Sequence, residues 1–180
     1  MIASYAQVLA FWREAGKDKW FEKDAAFDEA IRRRFLETYE AAAAGQLKEW
    51  EESREGALAL VIVLDQFPRN MFRGSARAFA ADHLARGIAD RAMALGFDLA
   101  TPVEERAFFY LPFEHSEQLA DQERCCTLFR ATGDADNVKW AELHADIIRR
   151  FGRFPHRNVV LGRATTAEEQ AFLDGGGFTG

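Results

Sequence analysis

Apolar residues recur along this chain at intervals of three and four, the spacing of one face of an α-helix. The clearest stripe is Phe27, Ile31, Arg34, Phe35, Thr38 and Tyr39. Asp24 can cap that helix at its start, and Gly45 stands just past its expected end near Ala44. Asp28–Arg32 and Glu29–Arg33 fall at i,i+4 on its outer side, where opposite charges pair. A second helix is predicted from about Ser53 to Phe67, and it contains the unbroken apolar run Ala57–Leu64. A helix that is apolar on every side must be enclosed by others, which places this one at the centre of the fold.

Further helices follow from local start and stop signals. Ser75 opens one that reaches Leu95 before Gly96. Thr101-Pro102-Val103-Glu104 combines a capping box with proline at the first helical position, and Pro112 predicts an end near Leu111. Segments Ser116–Thr132 and Asn137–Phe151 continue the series, with Ser116 as an N-cap, and Thr166 and Glu169 again have capping-box spacing. The result is one all-α domain over residues 1–180, of about seven or eight helices joined by short loops.

Composition narrows the classes. At 180 residues and 48% hydrophobic content the chain can bury a core, and sixteen phenylalanines supply its bulk. Gln7, Arg13 and Glu14 interrupt the N-terminal apolar residues, unlike a secretory signal, and no apolar run approaches the ~20 residues of a membrane span. These features predict a cytoplasmic protein. A formal net charge of -6 argues against nucleic-acid binding. Cys125 and Cys126 are adjacent, a spacing that suits neither a bridge nor zinc, so they read as small buried hydrophobes.

Against that acidity stands one cationic island, Arg149–Arg163, with five arginines and His156 and no acid between Asp146 and Glu168. Arginine forks hold carboxylate or phosphate through paired hydrogen bonds, so the island needs either internal acids or an anionic ligand. Two other polar clusters interrupt the apolar helices. Asp65-Gln66-Phe67-Pro68-Arg69-Asn70 places a carboxylate near the expected end of the central helix, where it needs a cation: Arg69, Arg73 or an arginine of the 149–163 run. Glu114-His115-Ser116-Glu117 sets a histidine between carboxylates, a candidate for proton transfer near neutral pH. His144 and His83 fall on apolar stripes and read as core residues, while Asp82, Arg86 and Asp90 read as a solvated ladder.

Three motifs, L-D-Q-F-P-R-N-M-F-R-G (64–74), L-P-F-E-H-S-E (111–117) and R-F-G-R-F-P-H-R-N-V-V-L-G-R (150–163), closely resemble those of a bacterial family of unknown function, domain of unknown function number 924. The N-terminal V-L-A-F-W and W-F-E-K-D-A-A-F-D and the closing E-E-Q-A-F-L-D-G-G-G-F fit as well, so the resemblance covers nearly the whole chain. It implies antiparallel helix pairs of the tetratricopeptide-like superfamily and carries no established activity.

Two functions compete. One is a cleft for a small anionic metabolite, with His115 and Glu114 as catalytic groups and Asp65, Arg69, Asn70, Arg73, Glu117, Arg153, His156, Arg157, Asn158 and Arg163 binding the ligand. The other is a helical module for a protein partner, with the arginines neutralising internal acids. A metal site from Glu114, His115, Glu117 and His156 lacks helical zinc spacing, and neither reading calls for a metal or a cofactor.

Overall fold

The computed structural model describes all 180 residues, and they form α-helices joined by turns and short 3-10 segments, with no β-strand. Eight of the ten α-helices are eight residues or longer, in line with the seven or eight expected. The chain divides into two compact units. One comprises residues 1–73 and 77–112, the other residues 74–76 and 113–180.

The first unit holds α1 (Tyr5–Ala15), α2 (Lys17–Trp20), α3 (Ala25–Ala43), α4 (Arg54–Val61), α5 (Phe67–Met71) and α6 (Asp82–Ala94). Most of α7 (Val103–Glu114) also belongs to it. Asp24 caps α3 by accepting from the backbone N–H groups of Ala26 and Phe27, and Ser53 caps α4 through Gly56 N–H. Every residue from Ala57 to Leu64 is buried, as the all-round apolar run demands. Trp12 packs against Trp20, Phe67 and Phe108, with ring centroids 5.6–5.8 Å apart.

Several local expectations change. The central helix does not stop at Phe67: a π-helical segment, Ile62–Gln66, joins α4 to α5. Pro68 falls within the first turn of α5, where a missing N–H costs little. Helix α7 runs through Pro112 to Glu114, past the end expected near Leu111. Proline inside a helix costs about 3 kcal/mol. Phe109 and Phe113 are fully buried on either side of it, each contributing about 1.5–3 kcal/mol. Packing therefore carries the helix through. After Ser75 the chain first makes a 3-10 turn, Ala76–Phe79, before α6 begins at Asp82. The buried face of α6 is Ala85, Ile88, Ala89 and Ala92, which leaves His83 exposed and corrects its reading as a core residue. Arg34, counted on the inner stripe of α3, lies at the surface with its guanidinium 4.6 Å above the Phe11 ring.

The second unit holds the end of α7, then α8 (Leu119–Thr132), α9 (Ala135–Phe151) and α10 (Ala167–Asp174). Asp134 caps α9 through Asp136 and Asn137 N–H, and Gly133 and Gly152 close α8 and α9 in the left-handed conformation that glycine adopts freely. Thr166 and Glu169 form the expected capping box at α10. Ser116 does not cap α8 directly. That helix starts at Leu119, and the Ser116 hydroxyl accepts from Gln118 N–H at 3.2 Å while donating to Asp121 at 2.6 Å.

Candidate functional site

In the first unit the motif residues form two acid–base groups. Asp65 sits in the π segment rather than at a helix end, and it is 0% exposed. Its Oδ2 accepts from the Gln66 amide at 2.5 Å, and its Oδ1 lies 3.4 Å from Arg69 Nη1. The same guanidinium donates to both oxygens of Asp82 at 3.0 Å, so it bridges two carboxylates. Asp82 is buried by this bond, which corrects its reading as part of a solvated ladder. In the second group, Arg73 reaches Asp28 through Nε at 2.5 Å and Nη2 at 3.0 Å, and Asn70 donates to Asp28 at 2.7 Å. Asp28 is thus drawn away from Arg32, its expected i,i+4 partner, and Arg32 donates to the Met71 carbonyl. A bidentate guanidinium outcompetes a loose helical pair.

In the second unit Phe154 is a hub. Its ring is fully buried, and three polar groups surround it: the His144 ring at 5.5 Å, the His156 ring at 5.6 Å and the Arg157 guanidinium at 4.5 Å. Phe178 covers both imidazoles from another side, 4.6 Å from His144 and 5.2 Å from His156. His144 Nδ1 lies 2.8 Å from the Trp140 carbonyl and 3.5 Å from Glu114 Oε1. A carbonyl only accepts, so Nδ1 carries a proton in this geometry. Glu114 and His144 are 5% and 6% exposed. The Gln122 amide holds the end of α7 by donating to the Glu114 and Ser116 carbonyls at 2.5 and 2.7 Å. Cys125 is buried nearby, its thiol pushed up first by desolvation and then by the Glu114 charge, which leaves it a poor nucleophile.

The remaining polar residues of this unit form a continuous chain of bonds behind the hub. Glu117 accepts from Phe154 N–H at 2.8 Å and holds Arg163 bidentately at 2.7 and 3.0 Å. Burial alone would push the Glu117 carboxyl up; hydrogen bonds from Arg163 and Phe154 N–H, with the Arg163 and Arg157 charges, outweigh it and draw the carboxyl below its usual range. Arg163 also donates to Asn158 at 2.9 Å and to the Phe154 carbonyl at 3.0 Å. Asn158 donates to Glu169 at 3.1 Å, and Glu169 holds Arg153 at 2.6 and 2.9 Å. The Arg153 hydrogen bond is the main reason the Glu169 carboxyl falls to about 2. Arg149 and Arg150 pair outside with Asp146 and Glu168.

Of the residues singled out in sequence, Glu117, Arg153, Asn158 and Arg163 form this bonded frame, and His156 and Arg157 join the hub. Glu114 is brought to the hub by His144, a residue the sequence placed in the core on the strength of its apolar stripe. His115 is half-buried in the turn just after α7. No group of three or more His, Cys, Asp or Glu side chains is arranged to hold a metal ion. A groove of about 670 Å³ along α9 and α10 is lined by none of the catalytic or ligand-binding residues singled out in sequence. No helix is long and apolar enough to cross a membrane.

The family model described as "Bacterial protein of unknown function (DUF924)" matches residues 8–177. A solved structure titled "Structure of Protein of Unknown Function ATU0120 from Agrobacterium tumefaciens" is similar at a TM-score of 0.93 and 49% identity, over 95% of this chain and 97% of that one. No curated protein matches the chain. The chain belongs to the DUF924 family of bacterial proteins of unknown function.

Proposed function

We propose that the chain binds a small ligand bearing a phosphate or carboxylate at the polar hub of its second unit, with proton transfer as the chemistry available there. The observation that carries this reading is the gathering of two imidazoles and a guanidinium around the Phe154 ring, with the Glu114 carboxylate beside His144. Apolar side chains would join these helices at lower cost, because buried ionisable groups lose hydration. Titratable groups held in such surroundings concentrate at functional sites. In this reading His156 and Arg157 recognise the anion, Glu114 exchanges the proton with His115 or His144, and the Glu117–Arg163–Asn158–Glu169–Arg153 frame fixes the turn that presents them. Asp65, Arg69, Asn70 and Arg73 support the fold of the first unit.

A panel of phosphomonoesters and small dicarboxylates, followed by thermal unfolding, tests this. A true ligand at 100-fold its Kd stabilises the native protein by about 2.7 kcal/mol. The shift should vanish in Arg157→Gln and shrink in His115→Ala, with circular dichroism confirming that both variants fold. Equal shifts in native and Arg157→Gln proteins remove Arg157 from the site. The second reading, a protein-binding module, draws on Val159, 84% exposed at the tip of the turn that Arg163 braces. Absence of any shift across the panel would favour that reading.

A further inference from the structure

The groove of about 670 Å³ in the second unit adjoins the hub at Phe178 and carries its own recognition chemistry. Its size falls in the range of small-molecule sites. Val138, Leu143, Phe151, Phe172 and Phe178 give it apolar and aromatic walls. The Phe151 and Phe172 rings lie 5.1 Å apart at 57°, and the Arg150 guanidinium caps them at 4.6 and 5.7 Å. Phe172 also packs closely against Gly177, where an added Cβ would come within 2.6 Å of the ring, so this wall is fixed by close contact.

Four charged residues line the groove, and three are already neutralised. Glu142 pairs with Arg130 at 2.8 Å, Asp146 with Arg149 at 2.6 Å and Arg150 with Glu168 at 3.0 Å. Lys139 is exposed and has no carboxylate in ion-pair reach; its ammonium lies 6.0 Å from the Trp140 ring. One uncompensated cation at the edge of an aromatic trough is complementary to a ligand with a flat apolar body and a single negative charge. We infer that this groove is a second ligand site, for an aromatic monocarboxylate whose ring lies among Phe151, Phe172 and Phe178 and whose carboxylate meets Lys139. Phe178 is the one side chain it shares with the hub, and neither Lys139 nor the Phe151–Phe172 pair takes part in the hub, so the inference does not rest on the proposed hub ligand.

Calorimetric titration with 1-naphthaleneacetate, set against its neutral amide, decides the matter. The acid should bind more tightly than the amide, and Lys139→Met should erase that preference by weakening the acid about three- to fivefold, the range of an exposed ion pair. Val138→Glu, which puts a carboxylate into the wall, should abolish binding of the acid. Lys139 is exposed and Val138 half-buried, so both variants should keep the native circular dichroism. Equal affinity for acid and amide in the native protein overturns the carboxylate assignment. Undiminished binding to Val138→Glu, or no binding to the native protein, overturns the site.

Discussion

Asp65 has no contact with solvent, yet its nearest cation is shared with a second acid, and that sharing sets what its loss should cost. If Asp65 is replaced by alanine, Arg69 keeps both hydrogen bonds to Asp82 and is not left as an orphaned buried charge. The expected destabilisation is therefore that of a charged hydrogen bond, about 1.5–3 kcal/mol, rather than the larger penalty of a broken isolated pair. Urea unfolding with an unchanged m-value would measure it. A loss above that range would mean that Arg69 depends on Asp65 for its position. Phe154 makes the contrasting case. It is fully buried and touches His144, His156 and Arg157, so Phe154→Ala should cost about 3–5 kcal/mol. A cost below about 1.5 kcal/mol would argue that the polar groups around it are not held by the ring. The sequence marked Asp65 as needing a cation but could not name Asp82, which lies on another helix and looks like a surface acid by spacing alone.

At the level of elements, α7 and α10 carry the instructive results. The pattern around Thr101-Pro102-Val103-Glu104 located the beginning of α7, whereas its end depended on Phe109 and Phe113 being buried around Pro112, which no local signal records. The same limit explains His144: helical periodicity reports that a side chain faces inward, but its partner Glu114 is thirty positions earlier and invisible to periodicity. The cap at α10 was legible because both partners lie within one turn. It also predicts a pH response. Glu169 is held at about 2, below its ordinary value of 4.5, first by the Arg153 hydrogen bond. The deprotonated form is favoured in the folded state, so this contribution is complete above about pH 4.5 and is lost as the pH falls towards 2. Glu169→Gln should flatten that part of the stability–pH curve, and an unchanged curve would show that the pair contributes nothing across this window. Removing the Asp134 cap of α9 with alanine should cost about 1 kcal/mol at any pH where the carboxylate is charged.

For the whole molecule, the all-α class, the enclosed central helix and the family were readable from pattern and motif. The arginine island stood out in the sequence, but its division into frame and hub did not: Arg153 and Arg163 make bidentate bonds to Glu169 and Glu117, which only the folded chain brings to them, while the Arg157 guanidinium lies over Phe154. The hub is proposed as a ligand-responsive group in which His144, His156 and Arg157 surround Phe154. The four histidines provide the most direct measurement. Imidazole resonances of the native protein, assigned by single replacement, should be followed by NMR while phosphomonoesters and dicarboxylates are added. A ligand at the hub should give saturable shifts of His156 and His144 with at least one such compound, while exposed His83 on α6 stays unmoved. Shifts confined to His83, or none at either hub histidine across the panel, would contradict it.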